Sequence, residues 1–367
     1  MRLQLRTGAL LAPAAAVMLL APAVSAEDQV TIRSAYFREP STRVVQPVVE
    51  ISKDLPNGYG VTAHYLLDAI TSASASAGTG VDSIFTEFRN EVGLKAFKDF
   101  GYTRLTARYN YSAESDYWSH TVSAALSQRF WGDTGAVTLS FGRSFDSVAP
   151  RGRTPACAKS GEFSCTLDAY FGGVGYSQVL GPRLIAQVSY ELAYLDGFQA
   201  NPYRSGANGY ENLPSQRTRQ AVSPKVAYYF PSASVGVQLH YRYYHDSWAI
   251  NSHMAEGRVY LTVTQALEVR LSYRHYFQTA ANFWCDFVAR PDCYGAGALI
   301  YGYDPKLENV RTSMPEAKLV WEAAALRGTP FLGWFAAGSV ELSYARLFQS
   351  TAFNNADLLQ FGYTMPY

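Results

Sequence analysis

The chain closes on LLQFGYTMPY, residues 358–367, where Leu359, Phe361, Tyr363, Met365 and Tyr367 alternate with Gln360, Gly362, Thr364 and Pro366. A period of two marks a strand whose faces meet different surroundings. Two settings fit these ten residues: the edge strand of a soluble sandwich, or a barrel strand with lipid on one side and a polar lumen on the other. A final aromatic on the apolar face is also the usual ending of bacterial outer-membrane barrels, where it serves the assembly machinery.

The other end of the chain bears on the choice. MRLQLRTGALLAPAAAVMLLAPAVSA carries Arg2 and Arg6, then an apolar stretch, then Val24-Ser25-Ala26. A basic start, an apolar middle and a small-residue cleavage site read as an export signal over residues 1–26, leaving residues 27–367 as one domain. Pro13 and Pro22 interrupt the run and argue against a membrane helix, and no Cys stands at the cut to take a lipid anchor. Cleavage removes two of the 31 basic residues and leaves 29 against 30 acidic ones. That near-neutral balance argues against nucleic-acid binding. No later stretch reaches the ~18–20 apolar residues of a spanning helix. A membrane protein of this sequence is therefore a barrel, because helices and closed barrels alone satisfy their backbone groups in lipid. The 27 Tyr and 20 Phe suit aromatic girdles, and they suit a secreted sandwich as well.

Alternating segments fall near 29–38, 42–53, 59–70, 86–97, 102–112, 118–130, 136–146, 166–178, 184–195, 218–230, 234–246, 250–263, 267–278, 311–323, 334–348 and 357–367. The fold class expected is all-β: a transmembrane up-and-down antiparallel barrel of about sixteen strands, in the outer membrane of a Gram-negative cell. With the N-terminus periplasmic, every second connector is short and rich in turn residues, as in Pro56-Asn57-Gly58 and Gly132-Asp133-Thr134-Gly135. All the long connectors, 71–85, 147–165, 196–217 and 279–310, fall on the opposite, extracellular side. A sandwich has no reason to sort its loops in this way.

The faces sort too. In 102–112, Leu105, Ala107, Tyr109 and Tyr111 oppose Arg104, Thr106, Arg108 and Asn110; in 234–246, Leu239, Tyr241 and Tyr243 oppose Gln238, His240, Arg242 and Asp246. Charges at mid-strand depth would be costly in a sandwich core. They suit a polar lumen, and this decides the opening question for the barrel. Residues 143–146 and His275 put polar groups outward near the loop end, where headgroups accommodate them.

Cys157 and Cys165 have seven residues between them, as do Cys285 and Cys293. An even count in an exported chain reads as two local disulfides, and neither pair has a close C-x-x-C spacing or a nearby His for a metal.

Several stretches resemble a known family. STRVVQPVVEISKDLPNGYGVTAHYLLDAITSAS, FTEFRNEVGL, YSAESDYWS, HYRYYHDSWAINSH and YRHYFQTAANF are similar to the domain-of-unknown-function 3570 family, as are NPYR (201–204), LPSQRTRQA and YGYDPKL. The resemblance spans nearly the whole mature chain. It implies an outer-membrane-type barrel, often encoded near exported thioredoxin-like and flavin-attaching proteins, and hence a periplasmic redox partner. It carries no established activity and no catalytic residues.

No G-x-S-x-G elbow, H-E-x-x-H helix, P-loop or EF-hand loop is present, so neither cofactor nor metal is expected. The compact cluster His245-Asp246-Ser247 would serve a barrel hydrolase, yet neighbouring strand residues diverge to opposite faces. The lumen-lining candidates are instead Asp68, Glu87, Arg89, Glu91, Arg104, Arg108, Arg242, Asp246, Glu268, Arg270 and Arg274. They form either a charge-selective lining for small polar or anionic solutes, or an interlocked network that plugs a structural, docking barrel.

Overall fold

The computed structural model describes residues 28–40, 42–73, 84–149, 165–200, 211–285, 300–330, 332–351 and 353–367, and structural counts below refer to these. The first 26 residues lie outside them, as do Cys157 and Cys293.

Sixteen strands follow one another: β1 (Gln29–Arg38), β2 (Thr42–Leu55), β3 (Tyr59–Ala73), β4 (Ile84–Phe100), β5 (Thr103–Ala113), β6 (Tyr117–Phe130), β7 (Gly135–Val148) and β8 (Cys165–Gly181). The second half runs β9 (Leu184–Gly197), β10 (Gln216–Phe230), β11 (Val235–Asp246), β12 (Asn251–Thr264), β13 (Leu267–Gln278), β14 (Val310–Glu322), β15 (Ser339–Gln349) and β16 (Ala356–Pro366). Each pairs antiparallel with its sequence neighbours, and β1 pairs with β16 from Gln29↔Pro366 to Arg38↔Asp357, closing the barrel. Closure removes the sheet edge that unpaired backbone groups would expose to lipid. No helix among the described residues is long and apolar enough to cross a membrane.

Alternation sets the two surfaces. Leu94, Leu239, Tyr273, Leu359 and Phe361 point outward and are 46 to 62 % exposed. A continuous band of such residues exceeds what a water-facing surface carries. The inner face is polar along most of its depth, with the charges predicted in the lumen.

The short connectors reverse direction through left-handed backbone. Asn57 and Gly58 (φ 61° and 75°) and Gly132 and Asp133 (φ 61° and 67°) supply it. These residue types adopt that conformation at low cost.

One connector breaks the expected sorting. Residues 323–338 are long yet lie at the short-turn end, and the strand expected from 334 begins at Ser339. The segment instead forms two 3-10 turns, Ala323–Leu326 and Gly333–Ala337. They fold outward onto β16: Phe335 meets Tyr363 edge-on at 5.2 Å, and the Tyr363 hydroxyl donates to the Phe335 carbonyl at 3.1 Å. Tyr363 is consequently 7 % exposed, although its neighbours on the same face, Leu359 and Phe361, stand open. The apolar run GWFAA looks the same to a hydropathy count whether it is strand or packed turn.

Candidate functional site

On the inner wall the described charged side chains converge from many strands. Because inward residues recur at every second position, cations and carboxylates on adjacent strands come within reach of one another. Across β3 and β4, Arg89 Nη2 lies 2.6 Å from Asp68, and Gln46 donates to the same carboxylate. His64 Nε2 stands 3.2 Å from Glu91. Glu87 accepts the Ser115 backbone N–H and hydroxyl at 2.9 and 2.7 Å, which ties the wall to the β5–β6 loop. At the short-turn end, Arg104 Nε donates to Asp99 at 2.6 Å.

The β9–β13 wall is more tightly tied. Arg217 and Asp246 are 10 % and 0 % exposed, with Nε donating to Oδ2 at 2.9 Å. Tyr244 also donates to Oδ2, while Oδ1 accepts the backbone N–H groups of Trp248 and Ile250 at 2.9 and 3.1 Å. Asp246 thus holds a cation and a loop together. Arg242 reaches across β10 to Glu191 at 2.9 Å. Glu256 takes both Arg274, at 2.7 Å, and Arg258, and Arg270 pairs with Glu268 on its own strand.

The predicted lining residues therefore all lie on the inner face, but most are not free. Arg89, Arg104, Arg242, Arg270 and Arg274 each have a carboxylate. Arg108 differs: it stands directly opposite Lys95 in the β4–β5 register, and neither closes an ion pair, although Glu50 on β2 lies near enough to act on both charges and Glu91 on that of Arg108. Lys225 on β10 and Arg219 above it are likewise without an ion pair, and the Nε of Arg219 is buried with no hydrogen-bond partner. Sequence reasoning missed Lys95, Lys225 and Arg219, together with the acceptors Glu191 and Glu256. Lys95 shares the inward parity of Glu87, Arg89 and Glu91 on its own strand. No candidate from the sequence falls on β9, β10 or β12, where alternation with outward residues such as Tyr190, Leu192, Val222 and Val226 was the available signal.

Two features shape the space between the walls. A recess of about 200 Å³ opens beside Arg89, Glu91, Asn110, Tyr117, Thr121 and Asp146. Nearer the loop end, Phe37, Val44, Ile70 and Ala356 form an inward apolar cluster with Leu347 and Leu358 against it.

The outward positions expected to be awkward are each partnered. Arg143 pairs with Asp168 at 2.9 Å and lies over the rings of Phe145 and Tyr170, while His275 contacts the Ser313 hydroxyl at 3.0 Å. His245 faces outward to Asn251, and Ser247 accepts the Thr218 N–H, so the His245-Asp246-Ser247 run does not assemble as a triad. Among the described residues no group of three or more His, Cys, Asp or Glu is placed to hold a metal. Cys165 and Cys285 are buried, and their expected partners lie outside the described residues.

Comparison with known proteins places this architecture. A bacterial polysaccharide outer membrane secretin superposes with a TM-score of 0.53 at 8 % identity, over 94 % of this chain and 99 % of that one. CdiB from Acinetobacter baumannii superposes with a TM-score of 0.51 at 9 % identity, over 92 % of this chain and 60 % of that one. At such identities the likeness concerns the fold, that of outer-membrane barrels. No curated protein matches the sequence. Residues 76–313 match the family described as "Protein of unknown function (DUF3570)", and the chain belongs to that family.

Proposed function

We propose that this chain is an exported outer-membrane barrel that lets small anionic solutes pass passively through its lumen. The observation that carries the reading is the juxtaposition of Lys95 and Arg108 on the inner wall. Two cations directly opposite one another across a β-ladder repel, which destabilises the sheet unless solvent or an anion separates them. Lys225 adds a third cation without an ion pair, while the arginines of the β9–β13 wall are largely neutralised by their carboxylates. In a wet lumen these cations favour anions locally, as rings of basic side chains do in pores, with Glu50 on β2 moderating the field of Lys95 and Arg108. Residues 1–26 direct export, the C-terminal strand engages the barrel assembly machinery, and Cys157–Cys165 and Cys285–Cys293 close two extracellular loops.

Planar-bilayer conductance tests the reading. Wild type should conduct with an anion-favouring reversal potential that fades as salt screens charges over ~10 Å at 0.1 M. Lys95→Glu with Arg108→Glu should move that potential towards cations and leave the barrel heat-modifiable on gels. Absence of conductance in both folded proteins sinks the channel.

A second reading has its own observation. The inward apolar cluster around Phe37, Val44 and Ile70 narrows the loop end, which suits a closed barrel that docks an exported thioredoxin-like or flavin-linked partner. Co-purification of such a partner with a non-conducting barrel favours it. A hydrolase has no comparable support, since His245 and Asp246 face opposite ways.

A further inference from the structure

At the loop end, four consecutive strands carry an outward row made of Arg43 on β2, Arg38 on β1, Asp357 on β16 and Arg346 on β15. The register places Arg43 opposite Arg38, Arg38 opposite Asp357, and Asp357 opposite Arg346. Arg346 spends its guanidinium on Asp357, with Nη1 at 2.6 Å from both carboxylate oxygens, and Tyr344 donates to the same group. Arg38 and Arg43 are exposed and have no ion pair among the described residues. The tight hairpin between them, closed by Glu39 N–H to the Thr42 carbonyl at 2.9 Å, keeps both side chains on the outer face. Side chains directly opposite in an antiparallel pair have Cβ atoms about 4.5–5.5 Å apart, and like charges there repel. Two guanidiniums at that spacing match one phosphate, whose oxygens accept their forked donors.

The next outward row, one step into the barrel, is Val45, Tyr36, Leu359 and Tyr344, again in continuous register. All four are 37 to 51 % exposed. A cationic row directly above an apolar row describes an amphiphile: a phosphate head with acyl chains below it. Elsewhere on the described outward rim, Arg311 on β14, beside β15, is also exposed and without an ion pair, whereas other basic groups have partners. Arg143 has Asp168, and His120 and His253 are bonded to Tyr109 and Tyr241. Unpaired positive charge on the described rim therefore lies at the seam where the barrel closes, with Arg38 and Arg43 facing each other, and at Arg311 on the strand next to it.

The geometry points to a binding site for the phosphate headgroup of an outer-leaflet lipid on β15, β16, β1 and β2, with Arg38 and Arg43 as its ligands. The long loops place this rim at the cell exterior, and the site is independent of whether the lumen conducts. Lipid A is the probe: a bisphosphorylated, multiply acylated disaccharide, titrated onto the folded barrel in detergent and followed by native mass spectrometry. Wild type should bind it about tenfold more tightly than its dephosphorylated form. Arg38→Gln with Arg43→Gln should lose that preference, while Arg143→Gln keeps it. Heat-modifiability on gels confirms folding, and Arg43→Gln alone, with a partial loss, serves if the double variant does not fold. Equal binding by wild type and the glutamine variants overturns the site. Displacement of the lipid by equimolar inorganic phosphate overturns the lipid assignment, because a free anion would then suffice.

Discussion

The β9–β13 wall and the β4–β5 wall draw on the same residue types in different proportions: the first pairs most of its cations, Lys225 and Arg219 excepted, and the second pairs Arg104 with Asp99 but leaves Lys95 facing Arg108. On the first, Arg217, Arg242, Arg258 and Arg274 are matched to Asp246, Glu191 and Glu256, and the ties reach across neighbouring strands. On the second, Lys95 and Arg108 face each other with no ion pair closed, and Glu50 on β2 acts on both only from beyond ion-pair distance. A cation closed into a half-buried pair stabilises the barrel and adds little to the field in the lumen. An unpaired cation beside water contributes field and little stability. Position on the inner face is therefore not enough to assign a pore-lining role; the partner decides.

The largest effect should come from the most buried pair. Asp246→Asn leaves Arg217 without its carboxylate in a site that water barely reaches, which costs about 3–5 kcal/mol. Urea unfolding of the refolded barrel, read by the loss of heat-modifiable migration, measures this. An unchanged midpoint would erase the distinction between the walls. Glu256→Gln comes next, since one carboxylate there serves both Arg274 and Arg258. A loss of about 1–3 kcal/mol in the same assay should accompany a shift in reversal potential towards anions, because two arginines are released to the lumen.

The loops sharpen the comparison from outside the barrel. If Cys157 pairs with Cys165 and Cys285 with Cys293, each link closes a short loop and stabilises it locally by about 2–3 kcal/mol. Reduction should then loosen the loops and leave the midpoint of the barrel unchanged. Peptide mapping without reductant that finds free thiols or crossed pairs would contradict the assignment. The smallest stability effect belongs to Lys95→Ala, within about 0.5 kcal/mol, since it removes a repulsion along with some packing. Its reversal potential should nevertheless move further than that of Arg242→Gln, whose charge is already matched by Glu191. A larger shift in the Arg242 variant would invert the reading of the two walls.

Much of this molecule is legible in the sequence because strand alternation is local. Arg104, Arg108, Arg242 and Arg274 could be placed inward, and Tyr109, Tyr241 and Leu359 outward, by counting in twos. The number of strands and the turns around Asn57-Gly58 and Gly132-Asp133 follow from equally local chemistry. Residues 323–338 mark the limit of that legibility, since an apolar run is compatible with a strand until Phe335 is found against Tyr363.

What only the tertiary structure decided is who meets whom. Arg242 and Glu191 are 51 residues apart and meet across an intervening strand, and Arg217 meets Asp246 from 29 residues away. Those meetings depend on register, which turns and bulges set for the whole sheet and which a shift of one residue would undo. Parity assigns a charge to the lumen. Register assigns it a partner, and in this barrel the partner separates a lining charge from a structural one.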